Sequence, residues 1–434
     1  MRLACLLLVL LGCATRVPRD AAAPPGTPHA GPWRAWLDAQ GQEVPFDLEL
    51  RTEAGAWHAR IENGEERIEV PQVALADGTL TLGFPHYDSV IVAQVSERGA
   101  RLDGTWRKRR GADDWCELPF HADAGEHPRF RAGGSGKPWP TSAEAVGGRW
   151  AVRFASSADP AVGIFSITSE GEGRGTFLTT TGDDRYLAGR IDREGPGMDS
   201  LLQGTDAAGI YYGVRLSCFD GAHAFLFTAL LQPDGTLQGD FWSSDRWHDT
   251  WTATRDDFAQ LPDGFSLSKA SGAVSLDDLV FPDLDGTPRR LSDPQFAGKA
   301  RLIEIFGSWC PNCADEADEL VRLQKEFGAR GLTIIGLAFE VTGDHARDAE
   351  QVRRYAARHG VTWPLLVAGL ADKDMATASL GLLDKVRAFP TTIFLDEQGK
   401  VRAVYTGFSG PATGAAYAEQ HAEFVRVIEG LLGP

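Results

Sequence analysis

From residue 33 to about residue 258, apolar and polar residues alternate in short runs with no long stretch at helical spacing between them. In PFDLELRTEAGAWHARIENGEERIEV, which begins at Pro45, the alternation breaks at EAG and again at NGEE, the latter a two-residue hairpin signal. Alternation of period two sends one face of each segment inward and the other outward. The region therefore predicts antiparallel β-structure throughout.

This β region is internally duplicated. VAQVSERGARLDGTW, ending at Trp106, matches TALLQPDGTLQGDFW, ending at Trp242, with a slip of one residue. IENGEERI around Asn63-Gly64 matches LTTTGDDRY around Thr181-Gly182, and each copy opens near a tryptophan, Trp33 and Trp150. These recurring tryptophans read as core. The second copy carries an insertion around REGPGMDS, and a Gly/Pro/polar segment separates the copies. The pattern gives a β unit at 32–124, a linker at 125–147 and a second unit at 148–258, each of about seven or eight strands. Closed meander barrels would remove exposed edges most economically; one composite sandwich is the alternative.

Beyond residue 264 the texture changes. FGARGLTIIGLAFE reads as a helix end followed by a buried strand, and DHARDAEQVRRYAARHG as an amphipathic helix stopped by glycine. Strands then alternate with helices to the end, so residues 265–434 predict an α/β domain. The fold class is thus multidomain, a duplicated all-β region followed by an α/β domain. A length of 434 residues accommodates this, at roughly 100–200 residues per domain.

Charge and the N-terminus narrow the setting. A formal net charge of -17 argues against nucleic acid, which needs a basic surface, and against electrostatic docking on anionic lipid. MRLACLLLVLLGC has one arginine, an apolar run too short to span a bilayer, and then Gly12-Cys13. LLGC resembles a bacterial lipobox, which implies a signal peptide at 1–12, lipidation of Cys13 and a flexible tether at 13–31. A plain secretory signal is the alternative. Ala14 after the cysteine slightly favours the outer membrane as destination. Either way the chain is expected on the extracytoplasmic side, where thiols meet an oxidising environment.

Four cysteines then remain, Cys116, Cys218, Cys310 and Cys313. In EIFGSWCPNCADE, Cys310 follows the apolar run RLIEIFG and precedes a helical pattern with Leu320, Leu323 and Phe327 on one face. A cysteine at such a strand-to-helix junction meets unpaired N–H groups and the positive end of the helix dipole, which stabilise a thiolate. Pro311 suits the first helical turn. Cys313, one turn on, is within reach to resolve a mixed disulfide. A zinc site would need two more ligands, and no second C-x-x-C or H-x-x-x-H is present. Cys116 and Cys218 fall at non-equivalent positions of the two repeats; a bond between them is favoured over two buried thiols. His345 and His359, near helix ends, read as capping or surface residues.

SLDDLVFPDLDGTPRRLSDPQFAGKARLIEIFGSWCPNC, GLTIIGLAFE, RHGVTWPLLV and KVRAFPTTIFLDEQGKV together resemble the thioredoxin superfamily, specifically its TlpA/ResA-like branch of exported thiol–disulfide oxidoreductases. The resemblance covers residues 265–434 and leaves out the β region. It implies Cys310 as the attacking thiol, Cys313 as the resolving thiol, and Pro390 as a cis-proline packed on the pair, with the backbone of Phe389 open to an extended substrate strand. Phe389 departs from the small or β-branched residue common there. Trp309 would belong to the docking surface, or be merely packed. Glu304 stands where thioredoxins place a buried acid, and a carboxylate between Ile303 and Ile305 should hold its proton to raised pH. It could shuttle the proton of Cys313, unless the strand register points it elsewhere. Glu316 completes C-x-x-C-x-x-E, the branch's tuning acid, though first helical turns favour acids for dipole reasons alone.

These readings predict a lipid-anchored thiol–disulfide oxidoreductase, with reduction the favoured direction. Its expected partners are protein disulfide substrates and a membrane thiol-relay electron donor, and no cofactor or metal is expected. A thiol peroxidase is a second possibility, although IEIFGSWC lacks the Pro and Thr/Ser arrangement that binds peroxide. A third is a ligand- or partner-binding lipoprotein whose β region is the main functional part.

Overall fold

A computed structural model describes residues 26–96, 98–130, 146–168, 172–194, 211–272 and 275–433. The signal segment, the lipidation site at Cys13, most of the tether and the insertion after residue 194 lie outside the described residues. Among the described residues no helix is long and apolar enough to cross a membrane.

The first β unit is a nine-stranded antiparallel sheet running from Gly31–Ala39 to Trp115–Ala124, and its first and last strands pair. Nine strands exceed the expected seven or eight. The additional strand, Gln72–Ala76, pairs with Thr79–Phe84 across a turn at Asp77-Gly78, both with positive φ as a two-residue hairpin of this kind requires. The sheet is open, whereas closure was expected. Its edges are the short strands Glu66–Glu69 and Gln72–Ala76, consecutive in the chain but separated by Val70-Pro71. Neither of these two residues takes the positive φ of a two-residue hairpin turn, which proline cannot adopt, so the strands do not fold back onto each other there.

The second unit is a closed barrel of eight strands, from Gly148–Phe154 round to Trp247–Arg255. The duplication survives in detail. The indoles of Trp33 and Trp150 each donate to the carbonyl four residues upstream, His29 at 3.0 Å and Val146 at 2.9 Å. The matched turns at Asn63-Gly64 and Thr181-Gly182 each join the third and fourth strands of their unit.

The two units share a core. Phe219, at the end of strand Tyr211–Phe219 of the barrel, lies inside the open unit against Phe46, Phe84 and Trp106, with ring centroids 4.6, 6.0 and 5.4 Å away. Buried Asn63 holds this segment, donating to the Phe219 carbonyl at 3.0 Å and accepting from its N–H at 3.3 Å. The start of the expected linker is also packed structure. Arg129 bonds Asp47 and Asn63 of one unit and Ser217 of the other, each at 3.0 to 3.2 Å, and Phe130 is buried.

The C-terminal domain has a five-stranded mixed sheet. Its strands are β1 (Ala300–Phe306), β2 (Leu332–Glu340), β3 (Leu365–Leu370), β4 (Thr391–Asp396) and β5 (Val401–Thr406), in the order β3-β2-β1-β4-β5. The first three are parallel, β4 runs antiparallel to β1, and β5 runs antiparallel to β4. Among the described residues four helices of eight residues or more accompany it, besides a single turn at Gly264–Leu267: α1 (Pro311–Phe327), α2 (His345–His359), α3 (Lys373–Leu380) and α4 (Ala415–Leu432). Every residue of β1 is buried, as the centre of a sheet covered on both faces requires, and Leu320, Leu323 and Phe327 form the buried face of α1.

Cys116 and Cys218 are not bonded to each other. Both are buried free thiols, Cys116 in the core of the first unit and Cys218 inside the barrel. The paired register of each strand puts them into separate cores, and burial pushes both thiols up, Cys116 to about 11.

Candidate active site

β1 delivers the chain to Gly307-Ser308, and Cys310 caps α1 with Pro311 in its first turn. The Cys310 sulfur accepts a hydrogen bond from the Cys313 N–H at 3.2 Å, so the helix N-terminus is aimed at it. Cys310 is 3% exposed and Cys313 0%, and both are free thiols. The Phe389–Pro390 peptide is cis, and the Phe389 carbonyl accepts from the Cys310 thiol at 3.5 Å. Trp309 is half-buried; its indole donates to the Phe339 carbonyl at 2.9 Å, and its ring meets Phe389 edge-on at 5.7 Å. The turn before the cysteines is pinned by Glu340, which accepts from the Ser308 N–H at 2.8 Å and hydroxyl at 2.7 Å. Burial pushes that carboxyl up to about 7. From α2, the Tyr355 hydroxyl donates to the Cys313 carbonyl at 2.7 Å.

Beneath the pair lie two carboxyls. Strand register sets Glu304 opposite Thr392, and the Thr392 hydroxyl donates to Glu316 at 2.7 Å. Both acids are fully buried. The second oxygen of Glu316 and both oxygens of Glu304 lack a hydrogen-bond partner. Burial pushes Glu316 up to about 8, and burial, the Glu316 charge and Cys310 together hold Glu304 well above the carboxylate range. Cys313 is likewise raised by burial and by its neighbour Cys310. A buried carboxyl and a buried thiol that both favour the proton can exchange it.

The mouth of the site is built by the β units. Asn312, between the cysteines, is buried, and its amide donates to the Thr181 carbonyl at 3.4 Å. At Gly182, whose φ is +88°, a Cβ would collide with that amide. Lys108 reaches in from the first unit, its ammonium donating to the carbonyls of Trp309 at 3.0 Å and Ala222 at 3.3 Å. Buried Arg185 of the barrel pairs with Asp315 on α1 and lies 3.9 Å from Asp220. On the far side Gln351 of α2 donates to the carbonyls of Pro85 and His86, at 2.9 and 2.7 Å.

Cys310, Cys313, Glu304, Glu316, Trp309, Phe389 and Pro390 therefore meet in one place. His345 and His359 stand apart at the ends of α2, bonded to Asp283 and Asp318 at 2.9 Å each. Sequence reading missed Glu340, Tyr355, Thr392, Lys108, Arg185 and Thr181. Lys108 alone left a signal, a charged residue on the inward face of an alternating strand.

Residues 268–419 match the Redoxin family. The thiol-disulfide oxidoreductase ResA of Geobacillus thermodenitrificans is 28% identical over 145 residues, which are 33% of this chain and 75% of the relative. The thiol:disulfide interchange protein DsbE of Pseudomonas aeruginosa is 29% identical over 126 residues, 29% of this chain and 61% of the relative. Among solved structures, a thioredoxin-family thiol:disulfide interchange protein from Chlorobium tepidum TLS is 25% identical, covering 36% of this chain and 93% of that one with a TM-score of 0.27.

Proposed function

We propose that this chain, with a C-terminal Redoxin domain similar to ResA and DsbE, is an extracytoplasmic thiol–disulfide oxidoreductase that reduces protein disulfides from a lipid anchor at Cys13. The observation carrying the reading is Cys310 at the cap of α1, with Cys313 one turn inward over the Glu304 carboxyl.

The Cys310 thiolate attacks a substrate disulfide, forming a Cys310–substrate bond and releasing one substrate thiolate. Cys313 then attacks the Cys310 sulfur, closes the internal disulfide and expels the second substrate thiolate. Two electrons have passed to the substrate, and a dithiol of the membrane relay returns them. Glu304, whose proton affinity is raised by burial, takes the Cys313 proton in the release step. Trp309 and the backbone of Phe389 before Pro390 hold the substrate strand, and Glu316 tunes the pair through Glu304.

The test is the reduction potential of the Cys310–Cys313 couple in thiol/disulfide buffers, with Cys310→Ser as the inactive control. A value near about -270 mV supports an electron-fed reductase; one near about -120 mV means the protein makes disulfides instead.

One observation favours the reading in which the β region is the main functional part. A cavity of about 430 Å³ opens at the barrel mouth, lined by Phe177, Phe225, Phe227 and Phe241 and bounded by the Thr181-Gly182 turn. A Cys310→Ser chain that keeps its cellular role would establish that reading.

A further inference from the structure

Strand Arg101–Arg109 alternates, with Leu102, Gly104, Trp106 and Lys108 on the inward face. A lysine closing an apolar row is an anomaly, because taking an ammonium out of water costs several kcal/mol unless something compensates it. Lys108 is 9% exposed, and among the described residues no carboxylate lies within ion-pairing distance of it. Among the described residues its hydrogen bonds go to two carbonyls, one in the barrel and one in the C-terminal domain. The second carbonyl belongs to Trp309, one peptide bond before Cys310. Three parts of the molecule thus converge to hold one cation that makes no ion pair, bonded to the residue before the attacking cysteine.

We infer that Lys108 is the counter-charge of the Cys310 thiolate, a positioning residue lent to the redox site by the first β unit. The inference rests on Cys310 and Cys313 being the redox couple. Reduction by a dithiol delivers two electrons to the internal disulfide. One proton goes to Cys313, and the ammonium favours a thiolate at Cys310. The Lys108 charge thereby stabilises the reduced state. The other ionisable groups facing this pair are Asp183 and Asp220 of the barrel, Tyr87 and Cys116 of the first unit, and Glu304, Cys313 and Tyr355 of the C-terminal domain. Burial pushes the ammonium down, while the charges of Asp220 and, after it, Cys310 push it up, so the Lys108 and Cys310 ionisations support each other.

The test compares Lys108→Met and Lys108→Arg in the whole reduced protein at pH 7. Cys116, Cys218 and Cys313 are all raised by burial and stay thiols there, so thiolate absorbance near about 240 nm reports Cys310. In Lys108→Met that absorbance is expected to fall, and iodoacetamide to alkylate Cys310 roughly tenfold more slowly. The couple should become more negative by about 30 mV, the equivalent of that factor for two electrons. Lys108→Arg should keep most of each signal. Unchanged absorbance and potential in Lys108→Met overturn the inference, as does faster alkylation at constant absorbance, which would mean only a loosened cover. If the parent protein itself forms no exchangeable Cys310–Cys313 disulfide, the reading of the couple fails, and that is seen before any variant is made.

Discussion

At the scale of single residues, the site keeps acids where water cannot reach them. Glu316 holds its proton up to about 8 through burial, against an ordinary value near 4.5. Between those values the folded state binds more protons than the unfolded one, so this carboxyl makes stability fall as pH rises through that window. Glu316→Gln is therefore expected to flatten the fall in melting temperature between about pH 5 and pH 8. An unchanged slope would show that the carboxyl does not titrate there. Glu304 and Glu316 could be named from sequence because each stands at a fixed distance from the C-x-x-C pair. Glu340, Thr392 and Tyr355 could not. They approach through the register of β1, β2 and β4 and through the packing of α2, and no spacing along the chain encodes these contacts.

At the scale of elements, alternation and helical spacing revealed the β region, the duplication and the change to an α/β domain, since each is written in local periodicity. Closure was not written there. Whether a meander seals depends on whether its two edge strands can pair, and Pro71 between two short strands decides against it in the first unit. Its open interior is filled by Phe219 from the other copy, a contact between segments more than a hundred residues apart in sequence. Phe219→Ala should then destabilise the protein by about 3–5 kcal/mol, as removal of a fully buried aromatic does. Denaturant unfolding reads this directly, and a cost below about 1 kcal/mol would mean the plug does not seat.

At the scale of the whole molecule, the β units roof the cysteine pair through Thr181, Gly182, Lys108 and Arg185. A substrate strand therefore meets a site made by three parts of the chain and reaches Cys310 only when that roof gives way. Arg185→Met leaves Asp315 unpaired at the interface and should loosen it. Cys310 is expected to react severalfold faster with a bulky maleimide in that variant while the reduction potential stays put. An equal rate in variant and parent would show that the roof does not limit access.

The socket for Phe219 also fixes an order of events. A chain synthesised from its N-terminus presents the first β unit long before residue 219 arrives. Until then Phe46, Phe84 and Trp106 line an unfilled hollow, the kind of apolar surface that holding chaperones recognise. The earlier copy must wait, half-built, for the later one to finish it.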